Sequence, residues 1–413
     1  MKKVNYLKIA TEDFLGAGDA SVHRVDELVS KGVNAKLLVL EKRTKNPNVI
    51  GVYDYHTKFG NFCIKAIRRF RKYYKRIFLK VENPQYHMYD VQLNFITAKR
   101  ILKLFGDKPD IIDISWVTDF VNYKTVRKLK ELTGAKIIYS MYDNAPITGG
   151  CHYPWRCRKF ETNCFPCPAL NSSSQRAKKT LEYKKKYLVS DGIVTYSGQD
   201  YNRACNSLLF KGKEVFLVNN IESTTCSSSR NECRSYFNIP EDDFVCIYGA
   251  SDLNDTRKGY HIFVEMIEKL SKSKIGNKRM TILVVGKCQE KLHSDVNIEY
   301  LGNLSFENLL KAYCCSDVYL CTSLEDSGPM MMKFAINAFL PIVCFPVGYS
   351  FDFVKHQVNG YIAEWGNSED LAKGLLYWYE LYCTKGINLY SKIRTIVEEC
   401  NKSISLDKYL GID

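Results

Sequence analysis

Short apolar runs alternate with amphipathic stretches along most of this chain, and the alternation stops once and then starts again. Apolar runs at 4–10, 35–40, 110–116, 135–143, 192–197 and 214–220 read as strands. Helical spacing fills the gaps at 20–30, where Val22, Val25, Leu28 and Val29 recur, and at 125–132, 175–188 and 200–209. Residues 222–230 are rich in Ser and Thr and read as a linker. Strands are then expected at 244–250, 280–286, 297–302, 318–322 and 341–346, with helices at 259–270, 305–315, 329–339 and 368–382. Strands that alternate with helices build a parallel, doubly wound α/β sheet. The expectation is therefore two such domains, over 1–220 and 231–387, and a helical tail over 388–413 that frays after about Cys400. Ligands of open α/β sheets bind beyond the carboxyl ends of the strands. That rule directs attention to the loops after Ala10, Asp143, Ser197, Ala250, Thr322 and Pro346, which two domains in tandem would turn toward a shared cleft.

A chain of 413 residues, 46% hydrophobic and 25% charged, can bury two cores. No apolar run reaches the ~18 residues that a membrane-spanning helix needs. Residues 1–10 are too short and too charged for a secretory signal and read as the first strand, so a cytoplasmic setting is expected. Most of the sixteen cysteines, such as Cys246, Cys321 and Cys344, sit singly in apolar runs and read as buried thiols. The formal charge of +14 implies acidic partners. Part of it lies in 62–81, where Ile67, Phe70, Tyr74, Ile77 and Val81 recur at helical spacing among Lys65, Arg68, Arg69, Arg71, Lys72, Lys75, Arg76 and Lys80. Such a helix either lies on an anionic membrane or packs its apolar face on the domain. No nucleic-acid partner is expected.

Four segments carry chemistry. Gly16-Ala17-Gly18 follows the first strand and can receive a phosphate at the helix that opens there. Ser21 occupies the third fingerprint position, which argues against a nicotinamide cofactor. Ser251 leaves the first strand of the second domain, and Arg257-Lys258-Gly259 then opens a helix, a placement that suits a diphosphate. Glu325-Asp326-Ser327-Gly328-Pro329-Met330-Met331 makes a tight turn into the next helix. Its amides can hold phosphate or sugar oxygens, and its carboxylates can accept from sugar hydroxyls. Lastly, Cys151, Cys157, Cys164 and Cys167 lie inside 17 residues, beside His152. Four thiolates can close a structural zinc site, but only Cys164 and Cys167 have the usual spacing; disulfides or free thiols are the alternatives.

Taken together, these pieces resemble the family 4 retaining glycosyltransferases of GT-B fold, and within them a bacterial branch that makes capsular or exopolysaccharide. The resemblance rests on Gly16-Ala17-Gly18-Asp19-Ala20, Asp143, Thr148-Gly149-Gly150-Cys151-His152-Tyr153, the cysteines through Cys167-Pro168, Arg257-Lys258-Gly259, Glu325 to Met331, Pro341-Ile342-Val343 and Asn359-Gly360-Tyr361, in that order. It implies two Rossmann-like domains and a nucleotide-sugar donor held mainly by the second. Lys258 and Arg257 would neutralise the leaving diphosphate. Asp326, Ser327, Gly328, Pro329, Met330, Met331 and Ser251 would hold the donor, with Gly16, Ala17 and Gly18 approaching it. Asp143 and His152 would stand on the acceptor side. The acceptor would be a glycan or lipid-linked glycan, and no catalytic metal is needed. Two residues depart from the pattern. Phe334 stands where the family has its second motif acid, and Tyr142 where it commonly has a histidine. Phe334 leaves open an alternative, a catalytically inert binding or scaffold protein of the same fold.

Overall fold

A computed structural model describes residues 4–53, 58–74, 77, 80–218, 226–272, 276, 278–288, 290–385, 390–400 and 406–412. The chain divides into two compact units. The first holds residues 1–196, 200–218 and 404–413, and the second 197–199 and 219–403.

The first unit is built on seven parallel strands: β1 (Asn5–Glu12), β2 (Asn34–Glu41), β3 (Val49–Gly51), β4 (Ile111–Ile114), β5 (Lys136–Met141), β6 (Gly192–Thr195) and β7 (Val215–Leu217), in the order β3-β2-β1-β4-β5-β6-β7. Ile9 pairs with Leu38 on one side and Ile114 on the other. All four residues of β4 are buried, as expected of a parallel strand covered on both faces. Lys8 breaks the apolar run of β1 and is nevertheless fully buried. It pairs with Asp113 of β4, whose carboxylate also accepts from Tyr6 Oη at 2.6 Å and Ser140 Oγ at 3.0 Å. Removing one partner of such a pair would strand a buried charge, so this polar cluster fixes how β1, β4 and β5 meet.

The second unit has six parallel strands: β8 (Phe244–Asp252), β9 (Met280–Lys287), β10 (Asn297–Gly302), β11 (Val318–Cys321), β12 (Ile342–Cys344) and β13 (Gly360–Ile362), in the order β10-β9-β8-β11-β12-β13. Both orders reverse beside their first strand. The switch points are therefore β1/β4 and β8/β11, where open sheets of this type bind ligands.

The two-domain α/β expectation holds, with corrections at the edges. Strands β3 and β13, three residues each at the sheet edges, were not anticipated, whereas the equally short β7 and β12 were read within longer apolar runs. The helix Ala98–Phe105, capped by Thr97 and closed by Gly106, was not anticipated. The expected linker ends in a helix, Arg230–Tyr236. Ser229 accepts from the Glu232 amide there and Glu232 accepts back from the Ser229 amide, a capping box hidden by the surrounding serines. Residues 219–225 lie outside the described set. Beyond Cys400 the chain forms a further helix, Leu406–Leu410, where fraying was expected. Asp407 accepts from Arg24 and from Lys31, the latter at 2.5 Å, which docks this segment on the helix Leu15–Ser30 of the first unit.

Candidate functional site

In the second unit, two loops are tied together at the switch point. The Asp255 carboxylate accepts from the Arg257 amide at 3.0 Å and starts a 3-10 turn, Thr256–Lys258. Gly259 then takes φ +68°, and a Cβ there would lie 2.1 Å from the Thr322 carbonyl oxygen at the end of β11. Only glycine allows that approach. Thr322 Oγ1 donates to the Lys258 carbonyl at 2.7 Å, and the Leu324 amide donates to the Arg257 carbonyl at 2.8 Å. With the backbones fixed in this way, the Lys258 ammonium meets the Asp326 carboxylate. Asp326 also accepts from the Gly328 amide at 3.1 Å. Burial opposes its charge, but Lys258, Arg257 and that amide hold its carboxyl below the usual range.

The turn passes through Gly328 and Pro329 into the helix Met330–Asn337, whose first amides have no partner within the helix. Ser251 is exposed near the end of β8, Glu325 is buried, and Met330 projects outward. Tyr313 Oη donates to the Met331 carbonyl at 2.7 Å. Phe334 joins an aromatic group, its ring 5.9 Å from Phe306 and 6.0 Å from Tyr313. The structure thus brings Arg257, Lys258, Asp326 and Gly328 into one constellation.

In the first unit, Gly16 has non-helical backbone inside the helix Leu15–Ser30, and Gly18 packs against the Glu12 carbonyl. Ala17 accepts from Ser21 Oγ at 2.7 Å, and Ser21 Oγ lies 3.0 Å from Ser115 Oγ beyond β4. The Gly16 turn therefore lies at the β1/β4 switch point. A cavity at the neighbouring strand ends is lined by Ser115, Trp116, Thr118, Ser140, Tyr142 and Asp143, among others. His152 is buried behind this wall. Its Nδ1 lies 2.6 Å from Asp143 Oδ2 and 3.1 Å from Trp116 Nε1, and its Nε2 lies 3.0 Å from Thr118 Oγ1. Tyr142 stacks on Tyr196 with ring centroids 4.8 Å apart. The loop after 116 was absent from the strand ends singled out in the sequence. Trp116 and Thr118 were missed for that reason, although the carboxyl-end rule applies to β4 as well.

The insert after β5 is held from beneath by Lys184. This side chain is fully buried and has no carboxylate among its hydrogen-bond partners. It donates to the carbonyls of Ala145 and Thr148, the second at 2.8 Å, and to Tyr89 Oη at 3.3 Å. Gly149 approaches the Ala177 carbonyl where a Cβ would lie 2.5 Å away, and Gly150 takes φ +117°. The Thr-Gly-Gly run is thereby explained as close packing. Cys151, Cys157, Cys164 and Cys167 line one apolar cavity, all as free thiols. Burial pushes the Cys164 thiol up to about 12 and raises Cys167, although Cys164 Sγ accepts from the Gly149 amide and Cys167 Sγ from those of Ala169 and Leu170. The donor set suits a thiophilic cation. The spacing does not, because no three of these sulfurs lie within 4.8 Å of one another.

Burial lowers the Lys184 amine to about 7. Between that value and the usual lysine range, the unfolded chain binds a proton that the folded chain does not, so this group makes stability rise with pH across that window. Lys184→Met is expected to flatten that rise and to cost about 1–3 kcal/mol through carbonyls left unpaired. Unfolding midpoints from pH 6 to 10 test this, and an unchanged slope in the variant would refute it.

The basic helix spans Lys58–Tyr74. Arg71 pairs inward with Glu41 at 3.1 Å and Asp119 at 3.3 Å, and Tyr74 Oη donates to Asp90 at 2.7 Å. Phe62, Phe70 and Tyr73 are 65%, 56% and 66% exposed. Arg71 is thus a tether, and these aromatic rings are not packed on the unit. The side chains of Lys65, Arg68, Lys72, Lys75 and Arg76 lie outside the described residues. No described helix is long and apolar enough to cross a membrane.

Residues 244–380 match the family model for glycosyl transferases group 1. No curated protein matches the chain in sequence. Among solved structures, the chain is similar to a sucrose-phosphate synthase from Thermosynechococcus elongatus (13% identity, TM-score 0.59, covering 99% of this chain and 97% of that one). It is also similar to WaaG, a glycosyltransferase involved in lipopolysaccharide biosynthesis (13%, 0.60, 98% and 99%), and to Anabaena HepE solved with UDP-glucose (11%, 0.57, 98% and 98%). The fold is that of the GT-B glycosyltransferases, and the second unit carries the group 1 domain.

Proposed function

We propose that the chain transfers a sugar, with retention, from a nucleotide-sugar donor to a glycan or lipid-linked glycan in the synthesis of a surface polysaccharide. The observation that carries this reading is the Lys258–Asp326 pair, set by the Gly259 turn at the β8/β11 switch point inside the matched segment. Donor binding brings a diphosphate to Lys258 and Arg257, where two cations offset the charge that grows as the bond from the sugar to phosphate breaks. Asp326 then turns to sugar hydroxyls, and the first amides of Met330–Asn337, with Ser327, Gly328 and Pro329, hold the remaining oxygens. The leaving phosphate takes the proton of the acceptor hydroxyl as the new glycosidic bond forms. Asp143 faces the acceptor side, and His152 orients it. The neighbours solved with UDP or UDP-glucose support a uridine diphosphate donor carrying a hexose. No metal enters this chemistry. Zinc at Cys151, Cys157, Cys164 and Cys167 would need those sulfurs to draw together.

A thermal-shift panel of nucleoside diphosphates and nucleotide sugars tests the reading, with a rise in midpoint expected for one donor class. Phe334 supports a second reading, an inert binding protein, because a phenyl ring packed on Phe306 and Tyr313 accepts no hydrogen bond from ribose. A stabilising donor that is never consumed would favour that one.

The exposed aromatics among basic residues support docking on an anionic membrane at the inner face of the cell envelope. Neutralising Lys65, Arg68, Arg69 and Lys72 together is expected to reduce co-sedimentation with vesicles rich in phosphatidylglycerol by at least about tenfold, at about 1 kcal/mol per charge. Binding to such vesicles that is unchanged by these substitutions would contradict the proposal.

A further inference from the structure

Three cysteines that no sequence motif joins meet in the second unit. Cys226 precedes the helix Arg230–Tyr236, Cys233 lies on it, and Cys314 ends the helix Phe306–Cys314. Their three sulfurs all lie within 4.8 Å of one another, with Cys226 Sγ 3.8 Å from Cys233 Sγ. A tetrahedral zinc with bonds of about 2.3 Å holds its sulfurs about 3.8 Å apart. All three thiols are free, Cys233 is fully buried, and the other two are partly exposed, which leaves a path for an ion. The backbone around them is fixed. The capping box sets the start of Arg230–Tyr236. Arg230 donates to the Ser316 carbonyl at 2.8 Å and pairs with Asp317, which also holds Arg234 at 2.9 Å and accepts from the Val245 amide at 2.8 Å.

We propose that Cys226, Cys233 and Cys314 form a structural site for a thiophilic cation of the zinc class, with one coordination position left to water. Soft thiolate ligands select such ions. On binding, three S–H protons leave and three S–metal bonds form, with no change of oxidation state. The site lies at the amino ends of β8 and β11, since Asp317 and Val245 bound it. It is therefore at the opposite end of the sheet from Lys258 and Asp326. Its effect is to clamp the entry of the second unit onto the helix Phe306–Cys314. The role is structural, and the site stands independently of the reading of sugar transfer.

The test uses the full chain, reduced and stripped of metal, titrated with Zn²⁺ against a chromophoric chelator and with Co²⁺ followed by its thiolate charge-transfer absorption. To silence the other cysteine cluster, the reference protein carries Cys157→Ser and Cys167→Ser. One equivalent of Zn²⁺ and a charge-transfer band are expected in this reference. Adding Cys226→Ser and Cys314→Ser should weaken Zn²⁺ binding at least a hundredfold and abolish the band. Both positions are partly exposed, and Cys233 is left in place so that the core is retained. Far-ultraviolet circular dichroism checks that the variant is folded. A reference protein that takes up no metal, uptake that survives loss of Cys226 and Cys314, or a Cys226–Cys233 disulfide found by mass spectrometry in unreduced protein in place of metal would each overturn the proposal.

Discussion

Lys258→Ala is expected to lower sugar transfer by about 10²–10³-fold, the usual cost of deleting one preorganised group aimed at developing charge. The lysine is partly buried against Asp326 and has Arg257 beside it, so its ammonium is already oriented before a donor arrives. Without it Asp326 keeps only Arg257 and the Gly328 amide, and its carboxyl should move up toward the ordinary range. Two effects then add: the leaving diphosphate loses a counter-charge, and a carboxylate with less compensation faces it. Affinity for nucleoside diphosphate should fall together with turnover. Lys258→Arg keeps the charge and should recover part of both. An alanine variant that binds and turns over donor like the parent would remove Lys258 from the machinery.

Gly259→Ala should have the largest effect on stability. The left-handed φ costs a Cβ-bearing residue of order 1–2 kcal/mol. The added methyl would also overlap the Thr322 carbonyl, where overpacking adds about 1–3 kcal/mol. Relief of that overlap must push the Thr256–Lys258 turn away from the end of β11. The Thr322–Lys258 and Leu324–Arg257 hydrogen bonds would stretch with it. Thermal unfolding should show a clear drop in the midpoint of the second unit and no change in the first. Donor affinity should fall even in folded protein, because Lys258 moves with the turn. Gly302→Ala is the comparison. Gly302 also has a positive φ, at +65°, but a Cβ there would meet nothing within 4 Å. If the two variants lose the same stability, close approach is not what demands glycine at 259.

The doubly wound architecture was legible because buried parallel strands write themselves as continuous apolar runs, as β4 and β5 do. The edge strands β3 and β13 leave no such trace, although β7, an edge strand of the same length, does in the run Val215-Phe216-Leu217-Val218. Residues 229–232 carried a capping signal, which Ser-rich composition masked. The Asp326 turn was legible as a loop at a strand end. Its pairing with Lys258 was not, because the two residues lie 68 positions apart and only the β8–β11 neighbourhood joins them. The buried state of His152 followed from contacts with Trp116 and Thr118, which sequence spacing does not encode. Lys184 shows the same limit, since it reads as one lysine in a lysine-rich helix, yet it is fully buried on the inner face of that helix. The thiol cluster of Cys226, Cys233 and Cys314 is likewise a product of tertiary packing alone.

The most direct test of sugar transfer is the release of nucleoside diphosphate from a panel of nucleotide sugars by the purified chain, with and without a lipid-linked glycan acceptor. Release is expected from at least one donor, accelerated by acceptor, independent of divalent metal and lost in Lys258→Ala. No release from any donor across a broad panel, with acceptor present and the protein folded, would contradict it.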